Sequence, residues 1–444
     1  MGAFTSTLAL GAYATALRLA TPLYLWRVWS RGREEPGYRA DWPWRLGCSL
    51  PPWPQAAGAG PRVWLHAVSL GETRAAVALV AALRARCPGL QLLLTHSTAT
   101  GREAGRSLID PARGDVQTWL PYDTPGAVRR FLRHYRPQVG VLMETEIWPV
   151  LQHEARRAGV PMVLANARLS EKSLRQGQRL SALLRPAVSS LAAVLSQTQA
   201  DARRFAQMLG DARPAPVVSV AGNVKFDMSP PPELLARGQA WRAETRGRPI
   251  VLAASTREGE EAGLLTAWKA CAGTVATGER PLLLLVPRHP QRFDEVEALV
   301  RAQGLGVVRR SAWAQGAPTP AQAQADVWLG DSMGEMPAYF AAAQAALLGG
   351  SFAPLGGQNL IEAAACGCPI VLGPSTFNFE EAATLSLDAG AARRVADIDE
   401  GVRGAIAWAV SSGREADVQR CLAFSSAHRG AALRMAQAIA QLLA

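Results

Sequence analysis

Short apolar runs alternate with segments of helical periodicity along most of the chain. Residues 63–68, 91–95, 139–143, 162–165 and 192–195 read as strands, and between them lie amphipathic stretches such as 74–86 and 127–134. Apolar runs without polar alternation suit strands covered on both faces. Strand–helix alternation of this kind predicts a parallel, doubly wound sheet. The pattern then stops and restarts, with strand candidates at 250–254, 282–286, 327–329, 345–348 and 370–372. Three consecutive prolines within 229–233 and the polar stretch 242–248 separate the two series. A chain of 444 residues is also too long for one ordinary core. We therefore expect Rossmann-like domains at 31–228 and 229–444, with ligands at the carboxyl ends of the strands.

The first thirty residues follow another pattern. Met1 to Leu17 carries no charged side chain, Arg18 interrupts, and apolar character resumes to Val28. A secretory leader would open on a basic segment, and none is present. The run is marginal for a full membrane span. Arg27, Arg31 and Arg33 would hold the following body on the cytoplasmic side. Residues 1–30 are expected to form a membrane-anchor helix, lying in or crossing the bilayer; a buried core helix is the alternative.

Charge changes the picture next. The formal net charge is +11, and only Lys172, Lys225 and Lys269 among the 47 basic residues are not arginine. Such a balance suits an anionic partner: nucleic acid, an anionic lipid surface or a phosphorylated substrate. No Lys/Arg-dense tract or RNA-type aromatic motif is present, which argues against nucleic acid. Six scattered cysteines without a CxxC pair read as free thiols in a reducing compartment. The six histidines show no HExxH or ligand-like spacing, so no structural metal is expected. The first strand is not followed by GxGxxG, against a dinucleotide-dependent dehydrogenase, and no P-loop or GxSxG elbow is found.

The candidate chemistry gathers after strands. Ser69-Leu70-Gly71-Glu72 follows the first strand and opens a helix. A carboxylate there is stabilised as the anion by the helix dipole and is available to accept a proton; a simple helix cap is the alternative. Met143-Glu144-Thr145-Glu146-Ile147-Trp148-Pro149 follows a later strand, so one acid can serve a site while the other braces a loop, or both are solvated. Gly222-Asn223-Val224-Lys225-Phe226-Asp227 ends the first series, where Lys225 would stabilise a departing phosphate or form a structural ion pair between domains. In the second series, Ser255-Thr256-Arg257 suits a phosphate or a cap, and Arg288 in Val286-Pro287-Arg288-His289-Pro290 suits a bidentate phosphate contact. Ser332-Met333-Gly334-Glu335-Met336, Gly349-Gly350-Ser351-Phe352 and Gly356-Gly357-Gln358-Asn359-Leu360-Ile361-Glu362 follow; their glycines admit a phosphate, and Glu362 fits a ribose contact. For each, taken alone, a cap or turn is the alternative; their order at the strand ends is the stronger signal.

In order and spacing these motifs resemble the 3-deoxy-D-manno-oct-2-ulosonic acid (Kdo) transferases of lipopolysaccharide assembly, glycosyltransferase family 30. The resemblance runs from residues 23–33 and Tyr38-Arg39 to Asn378-Phe379, through Asn166-Ala167-Arg168-Leu169-Ser170 and the segments above. It implies an inverting, metal-independent GT-B enzyme without cofactor, with two Rossmann-like doubly wound domains facing across a cleft and an N-terminal membrane-anchor helix. The N-terminal domain would take the acceptor and the C-terminal domain the CMP-sugar. Glu72 matches the family's general base, and Glu144 and Lys225 match residues that stabilise the transition state. Pro287 and Arg288, Met333, Gly334 and Glu335, and Asn359, Leu360, Ile361 and Glu362 match the CMP-binding segments. The implied reaction moves Kdo from CMP-Kdo to the 6′-hydroxyl of lipid IVA at the cytoplasmic face of a bacterial inner membrane, beside anionic lipid. Departures fall at Arg257 and Gln358, where relatives usually carry His, at Leu360, where they carry Pro, and at Trp44, where an acid is common. The rival readings are a GT-B transferase or epimerase using a UDP-sugar and a non-enzymatic nucleotide or lipid binder.

Overall fold

The computed structural model describes residues 2–54, 60–273, 280–314 and 316–443. It divides into two compact units, one of Met1–Asp227 with Arg429–Ala444 and one of Met228–His428. The first contains a parallel sheet of β1 (Arg62–His66), β2 (Gln91–His96), β3 (Val116–Trp119), β4 (Val139–Met143), β5 (Met162–Ala167), β6 (Ala193–Ser196) and β7 (Val217–Val220). Their spatial order is β3-β2-β1-β4-β5-β6-β7. The second unit's parallel sheet has β8 (Ile250–Thr256), β9 (Leu282–Pro287), β10 (Val307–Arg309), β11 (Val327–Leu329), β12 (Ala345–Leu348), β13 (Ile370–Leu372) and β14 (Ala392–Arg394). Here the order is β10-β11-β9-β8-β12-β13-β14. Chain progression reverses between β1 and β4 in one sheet and between β8 and β12 in the other. Such switch points open a crevice at the carboxyl edge.

The central strands are apolar on both faces because helices cover both. On one face of the first sheet Leu65 and Val141 meet Leu79 and Leu83 of helix Leu70–Arg86 and Met435 and Ile439 of helix Ala431–Ala440. On the other, Trp64, Leu142 and Leu164 pack with Phe131, Tyr135 and Phe205. In the second unit Val251, Leu285 and Leu347 pack with Leu265, Trp268 and Ile406. Each such side chain contributes about 1.5–3 kcal/mol of burial.

Two features depart from the expected domain plan. Residues 429–444, expected in the second domain, pack on the first sheet. Asp227 fixes this return: its carboxylate accepts the Gly430 N–H and, at 2.5 Å, the Ala432 N–H at the start of the terminal helix. An amphipathic helix looks the same in sequence whichever sheet it covers. The expected polar break at 242–248 is partly helix, since Pro232–Glu244 begins at a proline suited to a first turn and runs through Arg242. Arg242 and Arg248 are also not solvated; their guanidiniums donate to the carbonyls of Ala342 (2.8 Å) and Ala325 (2.7 Å).

The N-terminal helix Gly2–Arg31 has two characters. Ala14 is buried, with Leu10 and Tyr13 beside it against the first unit's core, while Phe4, Leu8, Leu19, Leu23, Tyr24, Trp26 and Trp29 are exposed. Among the described residues no helix is long and apolar enough to cross a membrane.

Candidate active site

The carboxyl rim of the first sheet carries Glu72 in the first turn of a helix, Glu144 in the turn after β4 and Lys225 in the short 3-10 turn Val224–Asp227, all in one unit. Ser69 caps helix Leu70–Arg86, accepting the Glu72 N–H at 3.4 Å. Glu72 reaches back to accept the Val68 N–H at 2.6 Å and the Ser69 hydroxyl at 3.4 Å. This is a capping box moved one residue outward, so the simple cap read from the sequence is present. It does not hold the carboxylate as an anion. Burial pushes the Glu72 carboxyl up to about 7; the Val68 N–H opposes the shift, and Glu144 and Glu146 add to it. The dipole argument therefore loses to desolvation, and the group titrates where a general base is effective. His66, below it on β1, is fully buried and held neutral, its pKa lowered to about 3 by desolvation.

Glu144 stands directly after β4, across the switch point from Glu72. Its carboxylate pairs with the Lys225 ammonium at 3.0 Å. The pair lies within the first unit, so the alternative of an ion pair between domains does not hold for this contact. Glu144 has φ +58, a left-handed conformation that costs a non-glycine residue about 1–3 kcal/mol. Glu146 accepts the Trp148 indole N–H at 2.7 Å and so braces its own loop; burial raises its pKa.

The sequence motifs include Asn166 and Asn223 but gave no sign that they aim Lys225. Asn166 is fully buried at φ +53, where β5 shifts register against β6. Its Oδ1 accepts the Val224 N–H at 3.1 Å, and its carbonyl accepts Gln197 Nε2 at 2.9 Å. Asn223 donates to Gln197 Oε1 at 3.1 Å and accepts the Lys225 N–H at 3.0 Å. Asp123 is the residue that sequence reading missed. It accepts the Val150 and Leu151 N–H groups at 3.1 and 2.7 Å, capping the helix after Trp148, and burial pushes it up to about 6. A lone Asn inside an apolar strand was the available signal for Asn166; nothing local marks Asp123.

The rim of the second sheet is cationic and glycine-rich. Pro287 ends β9 buried, and Arg288 follows, half-buried, with its N–H on the Thr256 carbonyl at 2.9 Å. After β11, Met333 is exposed and Gly334 has φ +81. The Glu335 carboxylate is held by the Ser332 hydroxyl at 2.5 Å, Arg237 at 2.8 Å and Arg310 at 3.0 Å. Burial alone would raise its pKa, but these partners hold it below the usual range. Asn359 caps the next short helix, accepting the Ile361 N–H at 3.2 Å, and Glu362 is half-buried one turn on. The Leu360 and Ile361 side chains are buried in the core, so only their backbone is left for a ligand. A groove of about 630 Å³ beside Arg133, Arg136 and Gln138 lies at the amino ends of the first sheet's strands, the opposite end of that sheet from Glu72, Glu144 and Lys225.

Two doubly wound parallel sheets, each reversing its strand order at the centre, define the GT-B class of fold. Solved structures share this fold. Anabaena Alr3699/HepE in complex with UDP matches 86% of this chain and 99% of its own at TM-score 0.56 and 15% identity. UDP-GlcNAc 2-epimerase from Neisseria meningitidis matches 86% and 99% at TM-score 0.54 and 11% identity. Sequence relatives are more specific. The 3-deoxy-D-manno-octulosonic acid transferase of Bordetella pertussis is 48% identical over 97% of this chain and 98% of its own length. That of Haemophilus influenzae is 34% identical over 83% of both. The family model described as 3-deoxy-D-manno-octulosonic-acid transferase (kdotransferase) matches residues 40–228. The chain belongs to the 3-deoxy-D-manno-octulosonic acid transferase family.

Proposed function

We propose that this Kdo transferase moves Kdo from CMP-Kdo to the 6′-hydroxyl of lipid IVA, with inversion, in lipopolysaccharide biosynthesis. One observation carries the reading: a carboxyl titrating at about 7 stands across the switch point from a Glu–Lys pair. Glu72 takes the proton from the attacking hydroxyl. A base of that pKa is half ionised near neutrality and strong enough to help the attack. As the C–O bond to CMP breaks, positive charge develops at the anomeric carbon and negative charge on the phosphate. Glu144 balances the first. Lys225 meets the second, or the sugar carboxylate, and its contact with Glu144 holds the two side chains together before the donor arrives. Arg288 holds the phosphate by charge-assisted bonds. Pro287, Met333, Gly334 and Glu335, with the backbone of Asn359, Leu360 and Ile361 and the Glu362 side chain, form the CMP segments. With Arg and Lys carrying the leaving-group charge, the transfer needs no metal.

The exposed apolar side of helix Gly2–Arg31 and the arginines at its end support a location on the cytoplasmic face of the inner membrane, against anionic lipid. Its other side already packs on protein, so the helix would lie along the surface rather than span it.

The test is transfer from CMP-Kdo, generated in situ, to lipid IVA, followed by mass spectrometry with EDTA added once the donor has formed. The expected result is a mass gain of one or more Kdo units that EDTA leaves unchanged. Folded, CMP-binding protein that transfers nothing contradicts the acceptor or donor assignment; tighter binding of UDP than of CMP would favour the UDP-sugar alternative.

A further inference from the structure

The second rim carries a guanidinium that this scheme leaves unassigned. Strand β8 bulges near its end: its register against β9 shifts between Ala254 and Thr256, and Ser255 takes φ +54. Thr256 pairs with Pro287, so Arg257 and Arg288 leave adjacent strands side by side. On the other flank of β8, Leu348 of β12 pairs with Ala254, and Gly349 and Gly350 follow. A buried carboxylate ties these loops together. Glu260 accepts the N–H groups of Arg257 (2.8 Å), Gly350 (2.7 Å), Phe352 (3.2 Å) and Ala353 (3.2 Å). The Gly350 carbonyl in turn accepts the Gly357 N–H at 2.8 Å, which brings in the loop that carries Gln358.

Gly350 sits between two side chains. A β-carbon on it would lie 3.2 Å from Gln358 Nε2 and 3.6 Å from Arg257 Cγ. Arg257 and Gln358 therefore flank a bare stretch of backbone at the point where strand order reverses. Among the described residues no carboxylate pairs with Arg257, whereas Arg292 close by is held by Glu261 at 2.7 Å and Glu295 at 2.8 Å. The local field is positive: after burial, Arg257, Arg288 and Arg292 are what lower the pKa of His289.

We infer that Arg257, with Gln358 beside it, binds a second negative group of the donor, the carboxylate of its sugar acid, separately from the phosphate. The inference rests on the CMP-Kdo reading. That donor carries two anions, and one guanidinium cannot take both in its bidentate plane. Arg288 is placed for one of them, and Arg257 supplies a second planar fork one strand away. The Gln358 amide adds a neutral donor, and Gly350 leaves the approach open.

CMP lacks the carboxylate, so it separates this role from nucleotide binding. The full-length Arg257→Gln and Gln358→Ala variants would be titrated with CMP by calorimetry and assayed with CMP-Kdo. Arg257→Gln should leave the CMP Kd within twofold and raise the KM for CMP-Kdo at least tenfold; Gln358→Ala should raise it about threefold. Arg257→Lys, which keeps charge but loses the fork, should fall between. Equal weakening of CMP and CMP-Kdo would overturn the assignment by placing Arg257 on the nucleotide. So would an Arg257→Gln enzyme with unchanged KM. Wild-type protein that binds CMP but transfers nothing from CMP-Kdo removes the donor reading first, and this contact with it.

Discussion

The carboxyl rims of the two sheets share a geometry and differ in chemistry. Each lies at a reversal of strand order, and each holds a non-glycine residue in the left-handed region, Glu144 after β4 and Ser255 in β8. On the first rim three acids crowd together, and burial lifts Glu72 to about 7. The second rim has Arg257 and Arg288 on neighbouring strands and a run of glycines with positive φ. The first is built to move a proton and the second to hold anions. The same backbone plan supports both because function resides in the side chains that the strand ends present.

Breaking the first rim should leave the second intact. The largest effect is expected for Glu72→Gln: turnover should fall about 10²–10⁴-fold. CMP affinity, read by calorimetry, should stay within twofold. A joint loss of turnover and CMP affinity would contradict the division between the rims. Lys225→Met comes next, with kcat down about 10²–10³-fold, the range for removing one preorganised stabiliser of transition-state charge. Glu144→Gln made in that background should cost much less than alone, because residues in contact do not add.

Asp227→Ala sharpens the comparison from the structural side. It removes the acceptor for two N–H groups of the terminal helix, a loss of about 0.5–2 kcal/mol. Thermal unfolding should register a drop of a few degrees. Activity should suffer more than CMP binding, since Lys225 shares the same turn.

The smallest effect concerns stability and pH. The folded-state pKa of Glu72 is raised above its ordinary 4.5, so the folded protein holds that proton more tightly than the unfolded chain. This contribution is present below about pH 4.5 and is lost as pH rises through about 7. Glu72→Gln lacks it. The melting temperature of the variant minus that of wild type should therefore shift in the variant's favour between pH 5 and pH 8. A difference that is flat with pH would mean that Glu72 titrates normally.

How much of this is legible in the chain depends on burial. The central strands, apolar on both faces, stand out as runs. The four strands that do not, β3, β7, β10 and β14, are the edges of the two sheets. Val217–Val220 is mostly exposed, and Ala392–Arg394 carries two exposed arginines, so neither needs an apolar pattern. The site shows the same divide. Glu72, Glu144, Lys225 and Arg288 sit in motifs at strand ends and are visible there. Glu260, Asn166 and Asp123 act through backbone N–H groups 27 to 93 residues away in sequence, apart from the Arg257 N–H three residues before Glu260, and no local pattern reports such partners. Nor does a glutamate announce a left-handed φ. The destination of the terminal helix was hidden for a related reason: its cap, Asp227, lies 203 residues before Gly430.

The most direct test is the pH dependence of kcat/KM for Kdo transfer, measured on wild type and on Glu72→Gln under identical donor and acceptor supply. The account predicts that wild type loses activity about tenfold per pH unit below a pKa of about 7, and that this limb disappears in the weak residual activity of the variant. An acid limb of the same pKa that persists in Glu72→Gln would assign the base to another residue and undo the contrast between the rims.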